Sequence, residues 1–201
     1  MDIGFWKDIL ISICSAIVAI AAIVGLFTWR KELTGKVKFD LARSIMLLAL
    51  KLEDNFKDAR YPVTFSTESF DRKRSEEESK EEAALLDQWY IKRIRLKPLI
   101  ENLQKLQELG YEAEVVFNEE ISSKIIESIS SFRKNWAELI TSIDDYFETR
   151  RDEIIKHTPY HNQEELRELN KVISSVGQDK IAEENRQAKQ QLIDTLKEYT
   201  K

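Results

Sequence analysis

Apolar and polar positions divide this chain into one continuous apolar block followed by a series of striped segments. From Ile9 to Trp29 there are 21 residues without a formal charge. Wound as a helix, the block covers about 31 Å, close to the hydrocarbon thickness of a bilayer. Trp6 and Trp29 stand at its two ends, where amphipathic rings prefer the headgroup level. The core helix of a soluble bundle carries a polar stripe, and Ser12 and Ser15 are too little to make one. A cleaved signal peptide needs a basic leading region and a small-residue cleavage site. Here MDIGFWKD carries two Asp and one Lys, and apolar residues continue past Ala19–Ala21 to Phe27. The pattern predicts an uncleaved transmembrane helix over 9–29, preceded by a short tail at 1–8.

Charge on either side orients that helix. The leading side offers only Lys7, whereas Arg30, Lys31, Lys36, Lys38 and Arg43 follow closely. Lys and Arg excess marks the cytoplasmic side, which predicts an outside N-terminus and a cytoplasmic C-terminal region. The same cations, over a basic joint at 30–40, meet anionic headgroups or simply stop transfer. Membrane anchoring is accordingly assigned to Trp6, Trp29, Arg30, Lys31, Lys36 and Lys38. Within the block, Asp8, Ser12, Ser15, Ala19, Ala22 and Leu26 are spaced 4-3-4-3-4 and share one helical face. Small and hydroxyl residues let helices approach closely in lipid. Asp8, Ser12, Ser15, Ala19 and Ala22 are therefore candidates for transmembrane self-association.

Beyond the block, the period of the pattern is helical throughout. Thr34–Gly35 is the one expected breaker, and Gly35 is assigned as a hinge between span and bundle. Leu41, Ile45, Leu48, Ala49, Leu52 and Phe56 make one apolar stripe, with Met46, Leu47 and Leu50 off it. That helix is expected to end at Tyr61–Pro62, because a residue before proline avoids the helical region. A flexible connection near 61–78 follows, in which DRKR precedes SEEESKEE; it reads as a solvated linker or a partner-binding loop. Leu85, Trp89, Lys92, Leu96, Leu99, Leu103 and Leu106 then form a heptad seam with a lysine at a core position. Such a lysine sets register or snorkels outward. Pro98 is expected to kink this helix and Gly110 to cap it. The strongest periodicity runs through Ile125, Ile129, Phe132, Trp136, Leu139, Ile143 and Tyr146, with Ile126, Ile140, Phe147 and Ile154 alongside, and stops at Thr158–Pro159. A sparser pattern from Gln163 to Tyr199 is expected to be interrupted at Gly177.

The predicted fold class is all-α: one N-terminal transmembrane helix, then a cytoplasmic antiparallel helical bundle over 41–201 with coiled-coil-like packing. Composition agrees, with 33% charged residues and only 5 Gly and 3 Pro in 201 residues. A net charge of −5 disfavours nucleic acid as a partner. The single cysteine, Cys14, lies in the apolar block, so neither an intrachain disulfide nor a cytoplasmic thiol nucleophile is available.

Motifs for chemistry are sparse. His157 and His161 are separated by Pro159, and two imidazoles fall short of a metal site. Gly35–Lys36 lacks both the leading Gly and the following Ser or Thr of a phosphate loop. No catalytic, cofactor-binding or metal-binding residue is assigned, and no cofactor is expected.

The stretch FTWRKELTGKVKFDLARSIMLLALKLEDNFKDARYP resembles a group of uncharacterised bacterial single-span membrane proteins. They share a W-x-x-E-L-x-G-K juxtamembrane motif, a Leu-Ala-Arg helix and an Arg-x-Pro turn. The matching residues are Trp29, Glu32, Leu33, Gly35, Lys36, Leu41, Ala42, Arg43, Arg60 and Pro62, with a second patch from Glu112 to Ile121. The resemblance implies a bacterial inner membrane and no activity. The expected function is a membrane-anchored, self-associating helical scaffold without enzymatic activity. Its partners would be anionic lipid headgroups, further copies of itself and a protein not named by the sequence. The alternative is an oligomeric membrane effector, pore-forming or membrane-perturbing, as in antiphage defence.

Overall fold

A computed structural model describes residues 3–175 and 179–200, with side chains from Cys14 onward except that of Ser66. The chain is all-helical. Its five α-helices are α1 (Ile3–Arg60), α2 (Lys80–Val116), α3 (Glu119–Lys156), α4 (Gln163–Ile173) and α5 (Lys180–Leu196), with short 3-10 turns at Ser66–Ser69 and Lys197–Thr200. It divides into two units, Met1–Asp40 and Leu41–Lys201. Helix α1 contributes to both.

The helix starts follow local chemistry. Ser79, Asn118, Asn162 and Asp179 precede α2 to α5, and each side chain accepts a hydrogen bond from the backbone three residues on. Each thereby satisfies one of the donors that a first helical turn leaves without a partner. Acidic residues follow each cap, as at Glu119–Glu120 and Glu164–Glu165, where the helix dipole favours negative charge. Helix α3 ends at His157, which takes the left-handed conformation (φ 51°) just before Thr158–Pro159.

Two expected breaks do not occur. Helix α1 runs through Thr34–Gly35, with the Thr34 hydroxyl donating to the Arg30 carbonyl at 2.9 Å. One helical glycine costs only about 1 kcal/mol relative to alanine, too little to stop a helix favoured on both sides. Helix α2 likewise continues through Gly110, so this residue is not a cap. Gly110 is buried, and a Cβ there would lie 2.7 Å from the Ile129 Cδ1 and 3.3 Å from that of Ile126. Its role is close approach of α2 to α3. Pro98 sits within α2 and is exposed. The last helical region is split, with α4 ending at Ile173 and α5 starting at Lys180; Gly177 lies outside the described residues.

In the second unit α3 is central, packing against α2, α4 and α5. The stripes meet as their spacing predicts: Ile45, Leu52, Leu99, Leu106, Ile125, Phe132, Leu139, Leu192 and Leu196 are all fully buried. Phe56 of α1 stacks on Phe132 of α3 with ring centroids 6.4 Å apart. One core layer is polar. Asn135 of α3 donates from Nδ2 to Oδ1 of Asn185 of α5 at 2.9 Å, both residues being buried. A buried amide pair penalises every register in which the two are not opposed.

Candidate functional site

Two regions carry side chains that the fold alone does not explain. In the first unit, eight large apolar residues from Ile17 to Trp29 are 57–68% exposed. Ser15, Ala19 and Ala22 are exposed too and fall on one face of α1 by their spacing. Arg30, Lys31 and Lys36 are exposed and Lys38 is half-buried. The side chains of Trp6, Asp8 and Ser12 lie outside the described residues. Gly35 has no atom within 4 Å of where a Cβ would stand.

The second region is the end of the bundle where α1 stops. There the last three carbonyls of α4 are taken by cations from other helices. Arg60, the final residue of α1, donates from Nε to the Val172 carbonyl at 2.6 Å and from Nη2 to that of Lys171 at 3.4 Å. It also grips the Asp179 carboxylate, through Nη1 at 3.0 Å and through Nη2. Lys92 of α2 donates from Nζ to the Ile173 carbonyl at 3.0 Å and to that of Tyr61 at 2.9 Å. Terminal helix carbonyls lack intrahelical partners and carry the negative end of the dipole, so cations suit them. Lys92 does not snorkel; it is 4% exposed. Burial, then the neighbouring charges of Arg95 and Arg60, bring its pKa down to about 8. Burial works to raise the Asp179 carboxyl, but the bonds from Arg60 and from the Ala182 amide prevail and hold it at about 2.

Where the pattern suggests a solvated linker, the connection after α1 is tied down. Arg95 pairs with Glu68 through Nε at 2.7 Å and Nη2 at 2.6 Å, and also donates to the carbonyls of Tyr61 (3.0 Å) and Val63 (2.8 Å). Arg72, its side chain nearly buried, reaches Asp87 at 2.6 Å and Glu78 at 2.7 and 3.0 Å. The Arg72 bond, with one from the Ser75 amide, lowers the Glu78 pKa to about 2. These paired, planar contacts hold the Arg72 guanidinium in one orientation.

Beside Arg60 lies a cleft of about 420 Å³ whose lining includes Glu53, Phe56, Lys57, Glu183 and Arg186. Its charges are paired: Lys57 with Glu53 at 3.0 Å, Arg186 with Glu183 at 2.7 Å. Among the described residues no three His, Cys, Asp or Glu side chains gather as metal ligands.

Sequence reasoning singled out Lys92 and, through the Arg-x-Pro turn, Arg60, without finding what either holds. The partners of Arg72 and Arg95 have no such signal in the pattern, save that Arg72 stands six residues before Glu78. No protein-family model matches the chain, and no curated protein or solved structure is similar to it at significance.

Proposed function

We propose that this protein is a single-span membrane scaffold: a helical bundle tethered through α1, self-associating and not enzymatic. The observation that carries the reading is the exposure of every large apolar residue from Ile17 to Trp29, in a chain that elsewhere buries its apolar stripes. At about 25 cal/mol per Å² such a surface is costly in water and favourable in lipid. The cations from Arg30 to Lys38, with Trp29 beside them, suit the headgroup layer on the cytoplasmic side. A bacterial inner membrane is the setting implied by the juxtamembrane resemblance. The non-enzymatic reading is supported by where the buried ionic groups go: Arg60, Lys92 and Arg72 are each engaged in tying segments of the fold together. Helix α1 runs unbroken through Gly35, so a hinge at that position rests on the low helix propensity of glycine alone.

Alkaline extraction of membranes together with protease protection tests the tether. The intact chain should stay with the membrane, and a C-terminal tag should be accessible only from the cytoplasmic face. Release by alkali, or a mature chain lacking the apolar block, would overturn it. The second reading, an oligomeric membrane effector, draws on the exposed face of Ser15, Ala19 and Ala22. Growth arrest on expression, abolished together with oligomers by Ser15→Leu and Ala19→Leu, would favour it over the scaffold.

A further inference from the structure

A shallow notch is cut into the surface of α1 at the end of the apolar block. Phe27, Arg30, Lys31, Thr34, Gly35 and Lys38 line it. They are linked by steps of three or four residues, so they share one face of the helix. Gly35 makes the middle of that face concave, with nothing within 4 Å of where its Cβ would stand. A helical glycine lowers helix stability, and no described residue occupies the space it opens. The chemistry along the notch is graded. Phe27, 68% exposed, forms the apolar end, and Arg30, Lys31 and Lys38 supply three cations. The acids of the same stretch, Glu32 and Asp40, stand outside the lining. In the bundle, cations find carboxylates, as Lys57, Arg72, Arg93 and Arg95 do. Among the described residues, Arg30 and Lys31 form no ion pair.

We propose that this notch seats one anionic phospholipid, with an acyl chain along Phe27 and the headgroup phosphate among Arg30, Lys31 and Lys38. The inference rests on the tethered reading above and adds a defined lipid site to it. General attraction between a basic segment and an anionic leaflet needs no site, and it weakens with distance from the surface. On that basis Lys36, nearer the apolar block, would count for at least as much as Lys38. The notch reverses the order. Two residues apart on a helix, Lys36 and Lys38 lie on opposite sides, and only Lys38 is in the lining. A helical side chain covers the turn N-terminal to its own Cα, which for Lys38 is the turn that holds Thr34 and Gly35. A free phosphate ion is the poorer occupant, because Phe27 and the apolar block beyond it offer an ion nothing.

The test uses the full-length chain in neutral detergent, titrated with phosphatidylglycerol, phosphatidylcholine or inorganic phosphate and read by native mass spectrometry. One phosphatidylglycerol per chain is expected, bound more tightly than either of the others. Lys38→Gln should weaken it about fivefold, and more than Lys36→Gln does. Gly35→Leu, which fills the notch without altering charge, should weaken it comparably, with helix content by circular dichroism maintained. Lys36→Gln costing as much as Lys38→Gln would mean attraction without a site and overturn the proposal. Phosphatidylcholine or inorganic phosphate bound as tightly as phosphatidylglycerol would overturn it too, as would native binding by the Gly35→Leu chain. Alkaline extraction separates this failure from that of the tether. A native chain retained by washed membranes but taking up no phosphatidylglycerol overturns the lipid seat alone, whereas release by alkali overturns both.

Discussion

Helix α1 holds two apolar regions of opposite fate. Between Ile17 and Trp29 its large apolar side chains are more than half exposed; between Leu41 and Ala59 the stripe residues Ile45, Ala49 and Leu52 are fully buried. The pattern of polar residues makes the difference. In the second region Lys51, Asp54, Lys57 and Asp58 occupy the faces away from the stripe, so one side is left for protein and the other for water. The first region has no such face, and it is long and apolar enough to cross a membrane. Burial in the bundle is directional, whereas burial in lipid is not.

The sharpest way to separate the two regions is to damage each alone. Phe132→Ala removes the ring that stacks on Phe56 and should destabilise the bundle by about 3–5 kcal/mol, read as a lower denaturation midpoint. Membrane retention should be unaffected. Conversely, Ile20→Arg places a charge near the middle of the apolar block, at a cost of about 2.5–3.5 kcal/mol for insertion. Here the membrane-bound fraction should fall while the denaturation midpoint of the bundle holds. If either substitution moved both readouts together, the two regions would not be independent.

A subtler probe is the buried cation at the end of the bundle. With a folded pKa of about 8 against an ordinary 10.5, Lys92 binds fewer protons folded than unfolded between those values. Stability should therefore rise with pH across that window, by about 2 kcal/mol, with the cost fully present below pH 8. Denaturant titrations at pH 7.5 and 10 check this, and Lys92→Met should flatten the rise. A Lys92→Met chain with the same pH slope as the native one would show that other groups supply it.

Two glycines in helices give effects of opposite sign, the one at Gly35 being the smallest. Gly35→Ala, with nothing near its Cβ, should raise helix stability by less than about 1 kcal/mol. Gly110→Val must push aside the δ-methyls of Ile129 and Ile126 in a closed core, and should cost about 1–3 kcal/mol. Thermal melts of the two variants make the comparison directly. A stabilised Gly110→Val chain would mean that α2 and α3 approach less closely than the structure shows.

Much of the fold is legible from periodicity. The stripes on α1, α2 and α3 fall where their 4-3 spacing puts them, and Thr158–Pro159 ends α3 as proline chemistry requires. The breaks were less legible, because a glycine permits a turn without demanding one. Gly35 was absorbed by a helix favoured on both sides. Gly110 served a neighbour that lies about twenty positions further along the chain, which no local reading reveals. The region at the end of α1 was legible only in fragments. A lysine in a heptad core and an Arg-x-Pro turn were visible, but the carbonyls they hold belong to α4, more than eighty residues away from either.

What the sequence by itself determined is the class of object: helices, their apolar faces, and one segment whose uniform apolarity suits no aqueous environment. These follow from the period and identity of neighbouring residues, which local sterics and hydration convert directly into helix and stripe. Tertiary structure alone decided which polar groups share a buried layer, as Asn135 and Asn185 do, and which cations close which helix ends. It also decided that the connection after α1 is hydrogen-bonded to α2 with its aromatic residues outward. Those outcomes depend on pairs far apart in the chain, whose electrostatic value exists only once desolvation has brought them together.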